Sequence, residues 1–432
     1  MTENDSKLPA PTPLKVVLVC HSDLLGGASI VTYRLMNALR REGVDARMLV
    51  YTKTTQSSEV DVISSRFNRG LRFMAERLQI MARNGLSYAN LFKVSTASQG
   101  LPVHRHPWVK EADVLVLSWI NQGLLSLSGI RKLGQTGKPI VWTMHDMWCL
   151  TGICHHAYEC SHYEQQCGCC PLLNSSDPKD LSHKVWKKKA DLYKRVPITF
   201  VAVSNWLAER CRRSSLLASQ NVRVIPNAFP IDAFSIDSTV RLTQYDLNPD
   251  KHIILMGAAR LDDKIKGLDY AIDALNYLFD NHPETSRNSI ALFFGEVRDP
   301  SAFDRLRFPH YEFGRISDPT ALKELYAASS VVLSTSLYET LPGTLIEGQA
   351  SGCLPVTFDR GGQADIITHK VDGYLAPFGD IKEIAAGIIW ALSQKPDRQA
   401  LHNSVRRRFS GRIIARRYID LFNELLSRSG KK

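Results

Sequence analysis

Two glutamates, Glu339 and Glu347, bracket the segment Glu-Thr-Leu-Pro-Gly-Thr-Leu-Ile-Glu just after the apolar run Val331–Ser334. On one continuous helix, residues eight apart would be offset by roughly 80°. Pro342-Gly343 interrupts the segment instead, which leaves Glu339 in a loop and Glu347 in the first turns of a helix. A loop carboxylate can face a hydroxylated substrate, and a helical one can accept hydrogen bonds from its hydroxyls. The N–H groups of Gly343 and Thr344, free at the start of the helix, suit anionic oxygens. The plainer reading of Glu347, a carboxylate that merely complements a helix N-terminus, is the one the local sequence disfavours. Arg260 and Lys266 follow the run Ile253–Ala258, and Lys266-Gly267 leads into the helical stretch Leu268–Leu278. Two cations on such a loop suit a diphosphate; two solvated surface cations are the alternative.

Further along lie Gly361-Gly362 with Asp365, and Asp372-Gly373-Tyr374-Leu375, which are turn signals when taken singly. In the first half, Gly26-Gly27-Ala28 falls at a strand-to-helix turn, where glycine serves close phosphate approach or simple packing. His145 ends the run in Trp142-Thr-Met-His-Asp146, and Ser204-Asn205 follows Thr199–Val203. A lone histidine is more often a capping or core residue. A strand end facing a cleft favours a functional one.

The elements that must position these residues alternate. Strands are expected at Leu14–Cys20, Arg47–Tyr51, Asp113–Ser118, Pro139–Thr143, Thr199–Val203 and Val222–Ile225. The pattern then restarts at Ile253–Ala258, Ile290–Phe294, Tyr311–Phe313, Val331–Ser334 and Leu354–Phe358. A helix is expected over Ala28–Arg41, with Gly43 just past its end. Alternation of strand and helix means parallel sheets covered on both faces. The expected fold is α/β, with two doubly wound Rossmann-like domains facing a central cleft. The division is a leader over 1–13, domains over 14–228 and 229–410, and a last helix over 411–432, with Pro226–Pro230 at the junction. Ligands of such sheets bind beyond the carboxyl ends of the strands.

Composition narrows the class. With 44% hydrophobic and 22% charged residues the chain can build two cores, and the Pro-rich leader lacks the apolar centre of a signal peptide. A cytoplasmic protein is expected. The net charge of +11 suits an anionic partner. Aromatic residues are not interleaved with basic ones on a strand platform, which speaks against nucleic acid.

Taken together, Arg260…Lys266, Glu339-x7-Glu347, Gly361-Gly362 and Asp372-Gly373 resemble the retaining family 4 glycosyltransferases, whose two-domain architecture is called GT-B. The resemblance implies donor-binding roles for Gly27, Ala28, Arg260, Lys266, Arg315, Ile316, Leu341, Gly343, Thr344 and Glu347. Arg260 and Lys266 would meet the diphosphate, Glu347 the ribose, Glu339 the transferred sugar, and the turn Gly314-Arg315-Ile316 the base. His145 and Glu339 would be the catalytic pair, with His145 bonding the sugar near its reacting carbon. The last helix, Arg412–Leu426, would cross back onto the first domain. The stretch Trp148–Pro171, and the stretch from Ser95 through Gly123, are similar to the subgroup that builds exopolysaccharides of the colanic acid type. At the junction, Asn227-Ala228-Phe229-Pro230 departs from the glycine and acidic residue of many members, which touches the hinge and not the chemistry.

The implied reaction moves a sugar from a UDP- or GDP-sugar to a hydroxyl of a growing lipid-linked glycan. No Asp-x-Asp motif is present, so protein cations are expected to replace a divalent ion, and no catalytic cofactor is required. Rival readings are a nucleotide-sugar 2-epimerase of the same architecture and, in another class, a basic nucleic-acid-binding protein. Two helical segments suggest an anionic membrane surface at the inner face of the plasma membrane. One carries Lys184, Lys187, Lys188, Lys189 and Lys194 beside Val185, Trp186, Leu192 and Tyr193; the other is Leu71–Arg83, with Phe73, Met74, Leu78, Ile80 and Met81. Six of the nine cysteines fall between Cys149 and Cys170. Cys154, Cys160, Cys167 and Cys170 are spaced C-x5-C-x6-C-x2-C, a pattern that can close a structural zinc site, with a disulfide pair or packing thiols as alternatives.

Overall fold

The computed structural model describes residues 13–63, 66–88, 90–237, 242, 248, 250–428 and 430. The leader expected over 1–13 lies, apart from Pro13, outside the described residues. The first series of elements is β1 (Lys15–Ser22), α1 (Gly27–Arg41), β2 (Asp45–Thr52), β3 (Val60–Val62), α2 (Arg66–Arg83), α3 (Pro107–Glu111), β4 (Val114–Leu117), α4 (Leu127–Gly134), β5 (Ile140–Met144), α5 (Leu181–Arg195), β6 (Ile198–Ala202), α6 (Asn205–Arg213) and β7 (Asn221–Val224). The second is β8 (His252–Arg260), α7 (Leu268–Asn281), α8 (Pro283–Arg287), β9 (Ser289–Glu296), β10 (His310–Glu312), α9 (Pro319–Ala328), β11 (Val331–Ser334), α10 (Gly343–Ala350), β12 (Leu354–Phe358), β13 (Tyr374–Ala376), α11 (Ile381–Ser393), α12 (Arg398–Phe409) and α13 (Gly411–Arg428).

The strands form two sheets, in the orders β3-β2-β1-β4-β5-β6-β7 and β10-β9-β8-β11-β12-β13. Every pairing within them is parallel. Each order reverses at its first strand, between β1 and β4 and between β8 and β11, and the crevices at those switch points are where such sheets take ligands. Central strands such as Val-Leu-Val-Leu in β4 are buried residue by residue because helices cover both faces. The sequence reading missed β3 and β13. Both are three-residue edge strands, too short for any periodicity to show.

Helix α1 ends as its sequence dictates, with Gly43 at φ +87° donating back to Arg40 O. Helix α13 returns to pack on α1. Its buried face, Ile414, Ala415, Tyr418, Leu421 and Phe422, joins Leu18, Leu35 and Leu39 of the first sheet's core. Tyr418 is fully enclosed there, and its hydroxyl meets Thr143 Oγ1 at 2.8 Å.

Phe422→Ala should therefore destabilise the first domain by about 3–5 kcal/mol through lost burial and a residual cavity. A clear fall in the urea midpoint, followed by near-UV circular dichroism, is the expected result. An unchanged midpoint would show that α13 is not integral to that core.

Candidate active site

The site is built by loops at the carboxyl ends of strands from both sheets. After β8 the chain turns through Lys264–Lys266 to Gly267, which sits at φ +67° with an added Cβ falling 2.0 Å from Thr335 O. Only glycine fits there, and the close approach docks this loop on the segment after β11. Leu337 N donates to Ile265 O at 2.8 Å and Thr335 Oγ1 to Gly267 O at 2.8 Å. The docking carries Lys266 to Glu339, where Nζ donates to Oε1 at 2.6 Å. Glu339 is the foremost reason that the Lys266 ammonium is held above its ordinary pKa, against the opposing effect of burial.

Gly361-Gly362 turns out to support this loop. An added Cβ on Gly361 would lie 2.5 Å from Glu339 O, and one on Gly362 would lie 1.9 Å from Thr340 O. Gly362 N also donates to Glu339 O at 2.9 Å. The two glycines let a second backbone press against the Glu339 loop and fix the carboxylate.

Glu347 lies one turn into α10, and the site of a Cβ on Gly343 is 4.0 Å from its Oε1. The carboxylate is buried, and burial raises its pKa above the ordinary range against the lowering effect of Arg34. Its partners are Arg34 Nη2 at 3.2 Å and the Tyr326 hydroxyl at 3.4 Å. Arg34 comes from α1, so this ion pair spans the two sheets, and the same guanidinium lies over the Phe229 ring at 5.4 Å. Nothing in the local sequence distinguishes Arg34 from the other helical arginines.

The facing wall comes from the first sheet. Thr340 Oγ1 donates to the His145 carbonyl at 3.0 Å, so His145 stands beside the Glu339 loop. Its Nε2 is buried without a hydrogen-bond partner among the described residues, and burial lowers the imidazole pKa to about 4. Asp146 faces the other way and accepts from His155 Nδ1 at 2.6 Å, Trp148 N at 2.8 Å and Trp119 Nε1 at 2.9 Å. Burial alone would raise its pKa; the His155 charge leads the interactions that bring it down to about 2. His156 stacks edge-on with Tyr338 at 5.0 Å and feels both Glu339 and Lys266 electrostatically. Its Nδ1 also lacks a partner among the described residues. His156 is a cleft residue that nothing in its local sequence, a cysteine-rich loop, singles out.

Other candidates lie further apart. Arg260 ends β8 beyond a register shift, 40% exposed, 3.1 Å from Asp262. Arg315 is exposed and Ile316 half-buried on the turn after β10, while Leu341 is buried and Thr344 half-buried at the start of α10. Gly27 and Ala28 open α1, and Gly26 before them is at φ +88°. A Cβ on Gly26 or Gly27 would meet nothing within 4 Å, so packing does not explain these glycines. Asp23, which the sequence reading passed over, anchors their loop by accepting from the backbone and hydroxyls of Thr54 and Thr55 at 2.8–3.0 Å. Asp365 accepts from Asn205 Nδ2 at 2.9 Å and Trp206 N at 3.0 Å, joining the second sheet's loops to α6.

The cysteine cluster lacks a preformed shell, and the basic helix lacks an open apolar face. Cys154, Cys160, Cys167 and Cys170 do not form a ready coordination shell: among the described residues no three His, Cys, Asp or Glu side chains have metal-holding geometry. All nine cysteines are free. The basic helix α5 is not an open amphipathic face, because Val185, Leu192 and Tyr193 are core residues and Lys189 is fully buried. In α2, Ile80 is likewise buried and Phe73 partly so. A groove of about 920 Å³ lies away from the cleft, between α2, α4 and α5.

Two parallel sheets with a paired carboxylate–lysine loop and a helix N-terminus between them define the GT-B class of glycosyltransferase. Comparison bears this out. Residues 25–233 match the family described as Glycosyltransferase Family 4, and residues 242–408 match Glycosyl transferases group 1. The chain is a GT-B glycosyltransferase and belongs to family 4. Among relatives, it is 28% identical over 149 residues to an Escherichia coli K12 protein named for colanic acid biosynthesis, the glycosyl transferase WcaC, covering 33% of this chain and 34% of that one. It is 26% identical over 201 residues to a D-inositol 3-phosphate glycosyltransferase of Jonesia denitrificans, 44% of this chain and 47% of that one. These matches thus span a third to a half of the relatives' length. A glycosyltransferase structure from Rickettsia africae superposes with TM-score 0.64 at 16% identity, covering 96% of this chain and 99% of that one. Anabaena HepE, solved with UDP and glucose, gives 0.60 at 15%, covering 95% and 100%.

The low pKa of His145 has a consequence for stability. An unfolded histidine titrates near 6.5, so the folded state holds this group neutral where the unfolded chain is already protonated. Its contribution is complete above pH of about 6.5 and is lost as pH falls toward about 4. Urea midpoints should therefore decline from pH 7 to 5, and less steeply in His145→Gln. Parallel declines in the two proteins would contradict a neutral buried imidazole.

Proposed function

We propose that the chain transfers a sugar from a nucleoside diphosphate sugar to a glycan hydroxyl with retention of anomeric configuration. The observation that carries this reading is the convergence of Lys266, Glu339 and the N-terminus of α10 opposite His145. Glu347 would accept from the ribose hydroxyls, which replace or join its contacts to Arg34 and Tyr326. Lys266, Arg260 and the first amides of α10, Gly343 and Thr344, would hold the diphosphate as charge builds on it. Arg315 and Ile316 would border the base, Leu341 the sugar, and Gly27 and Ala28 would let backbone approach the donor from the other side. Glu339 and His145 Nε2 would orient the transferred sugar. The anomeric carbon–phosphate oxygen bond breaks as the acceptor oxygen attacks from the same face, and the departing phosphate oxygen takes the acceptor's proton.

The bound UDP and glucose of the Anabaena neighbour and the polysaccharide role in the Escherichia coli relative's name support a UDP-sugar donor and a polysaccharide acceptor. We place the domain boundaries at 14–228 and 229–410, with 411–432 closing back over the first domain. The acceptor reading is a lipid-linked glycan at the inner face of the plasma membrane. No helix among the described residues is long and apolar enough to cross a membrane. Helix α2 supports docking instead, because Phe67, Leu71, Met74 and Leu78 stand 52–80% exposed along one stripe at helical spacing.

Lys266→Ala and Glu347→Gln should each lose most activity while the fold survives, since a charge-assisted donor contact is worth about 1.5–3 kcal/mol, more if it tightens in the transition state. Turnover with UDP- and GDP-sugars and nucleotide affinity decide this; near-normal values in both variants would remove the donor-site assignment. Gly362→Ala should cost of order 10²-fold in turnover by displacing the Glu339 loop, with far-UV circular dichroism unchanged. Full activity would mean that the glycine clamp does not position the carboxylate. The wild-type chain should sediment with anionic liposomes at low salt, and Leu71→Glu/Met74→Glu should not. Equal sedimentation of the two would exclude α2 as the docking face.

A further inference from the structure

The long connection between β5 and α5 holds its cysteines in a way that packing does not explain. Cys154, Cys160, Cys167 and Cys170, spread over seventeen residues, all line one cavity of about 20 Å³ together with Gly152 and Ser182. That volume admits one water-sized body. The chain is forced to bring the last two cysteines there: Cys167, Gly168 and Cys169 take φ of +55°, +112° and +45°, a left-handed run that two non-glycine residues rarely adopt. The turn is pinned from outside by Gly168 N donating to Ser182 Oγ at 3.0 Å and Cys170 N to Asp180 Oδ2 at 2.8 Å. Inside, Gly152 N donates to Cys167 Sγ at 3.2 Å, a bond that suits a sulfur bearing negative charge.

A second observation points the same way. Lys189 is fully buried, and among the described residues no carboxylate pairs with it. Its ammonium donates to the carbonyls of Trp148 at 2.5 Å and Thr151 at 3.0 Å and lies 3.2 Å from the Trp148 ring centroid. Thr151 immediately precedes Gly152, the donor to Cys167. Burial lowers the Lys189 pKa to about 7, and the Cys149, Cys154 and Cys167 sulfurs and Asp146 act against it; negative charge gathered on the thiol pocket would favour the buried ammonium further.

We propose that Cys154, Cys160, Cys167 and Cys170 bind one Zn²⁺ as a structural, four-thiolate site. The thiols now surround the cavity without closing into a coordination shell. Metal entry turns the four sulfurs inward and releases their four protons, leaving a tetrathiolate with two negative charges that faces Lys189. Four protein ligands leave no open position, so the ion takes no part in catalysis. It ties the loop together behind His155 and His156, the residues through which this connection reaches the cleft. The site stands independently of the donor assignment.

Full-length protein made without a His-tag and purified under reducing conditions should contain about one equivalent of zinc. A mercurial reagent should release that zinc as four thiols are modified. The Cys167→Ser/Cys170→Ser variant should fall below about a tenth of an equivalent, while Cys169→Ser keeps its metal. Because the double variant could fail to fold, wild-type chain produced with Co²⁺ provides a second readout: it should show thiolate-to-metal charge transfer and the intense visible bands of a tetrahedral site. Zinc below about a tenth of an equivalent together with no such cobalt spectrum would overturn the proposal. Zinc retained by the Cys167→Ser/Cys170→Ser variant would overturn the ligand set.

Discussion

The burial of the Glu347 carboxylate is the constraint on which the arrangement of the two sheets turns. A carboxylate removed from water needs compensation, and α10 supplies little of it alone. The missing charge comes from Arg34, on a helix of the other sheet, at 3.2 Å. That guanidinium also covers Phe229, in the junction between the domains, and Phe229 in turn packs beside Gly343 at the start of α10. One ion pair thereby connects α1, the junction and the start of α10. Any ligand that takes Glu347 must compete with or add to Arg34, so ligand binding and domain apposition are linked through the same carboxylate.

A second set of contacts crosses the cleft through loops instead of helices. Thr340 reaches the His145 carbonyl, the Tyr338 hydroxyl reaches Met147 Sδ at 2.6 Å, and Asp365 receives the Trp206 amide of α6. The Glu339 loop is therefore held from three sides. Lys266 meets its carboxylate, the glycine pair meets its backbone, and the first sheet's strand-end loop meets Tyr338 and Thr340. Such over-determination is what keeps a catalytic carboxylate in place before substrate arrives.

The connection between β5 and α5 serves the cleft from behind. His155 is held by Asp146, a carboxylate whose pKa is brought down by His155 first and by the Trp148 amide, and which also accepts from Trp119 Nε1. The far end of the connection is ordered by the cysteine-lined cavity and by Lys189. The same buried lysine shows why charge alone misleads along a helix: five lysines share α5, and one of them points wholly inward because the loop offers it two carbonyls and an indole face.

The sequence by itself determined the architecture and the location of the chemistry. Buried parallel strands are continuous apolar runs, and loop glycines and prolines mark their ends, so both series of strands and the Glu339, Glu347, Lys266 and His145 loops were legible locally. The family resemblance assigned roles by position. Tertiary structure alone decided which of these groups meet. Arg34 looks like any helical arginine until the fold brings it beside Glu347, 313 residues on in sequence. Gly361-Gly362 reads as a turn until its backbone is found pressed on Glu339 and Thr340. Edge strands β3 and β13 are too short to carry a period. Whether an apolar helical residue is core or surface depends on the neighbour that covers it, which is why Ile80 and Leu78, two residues apart in α2, ended at 0% and 52% exposure.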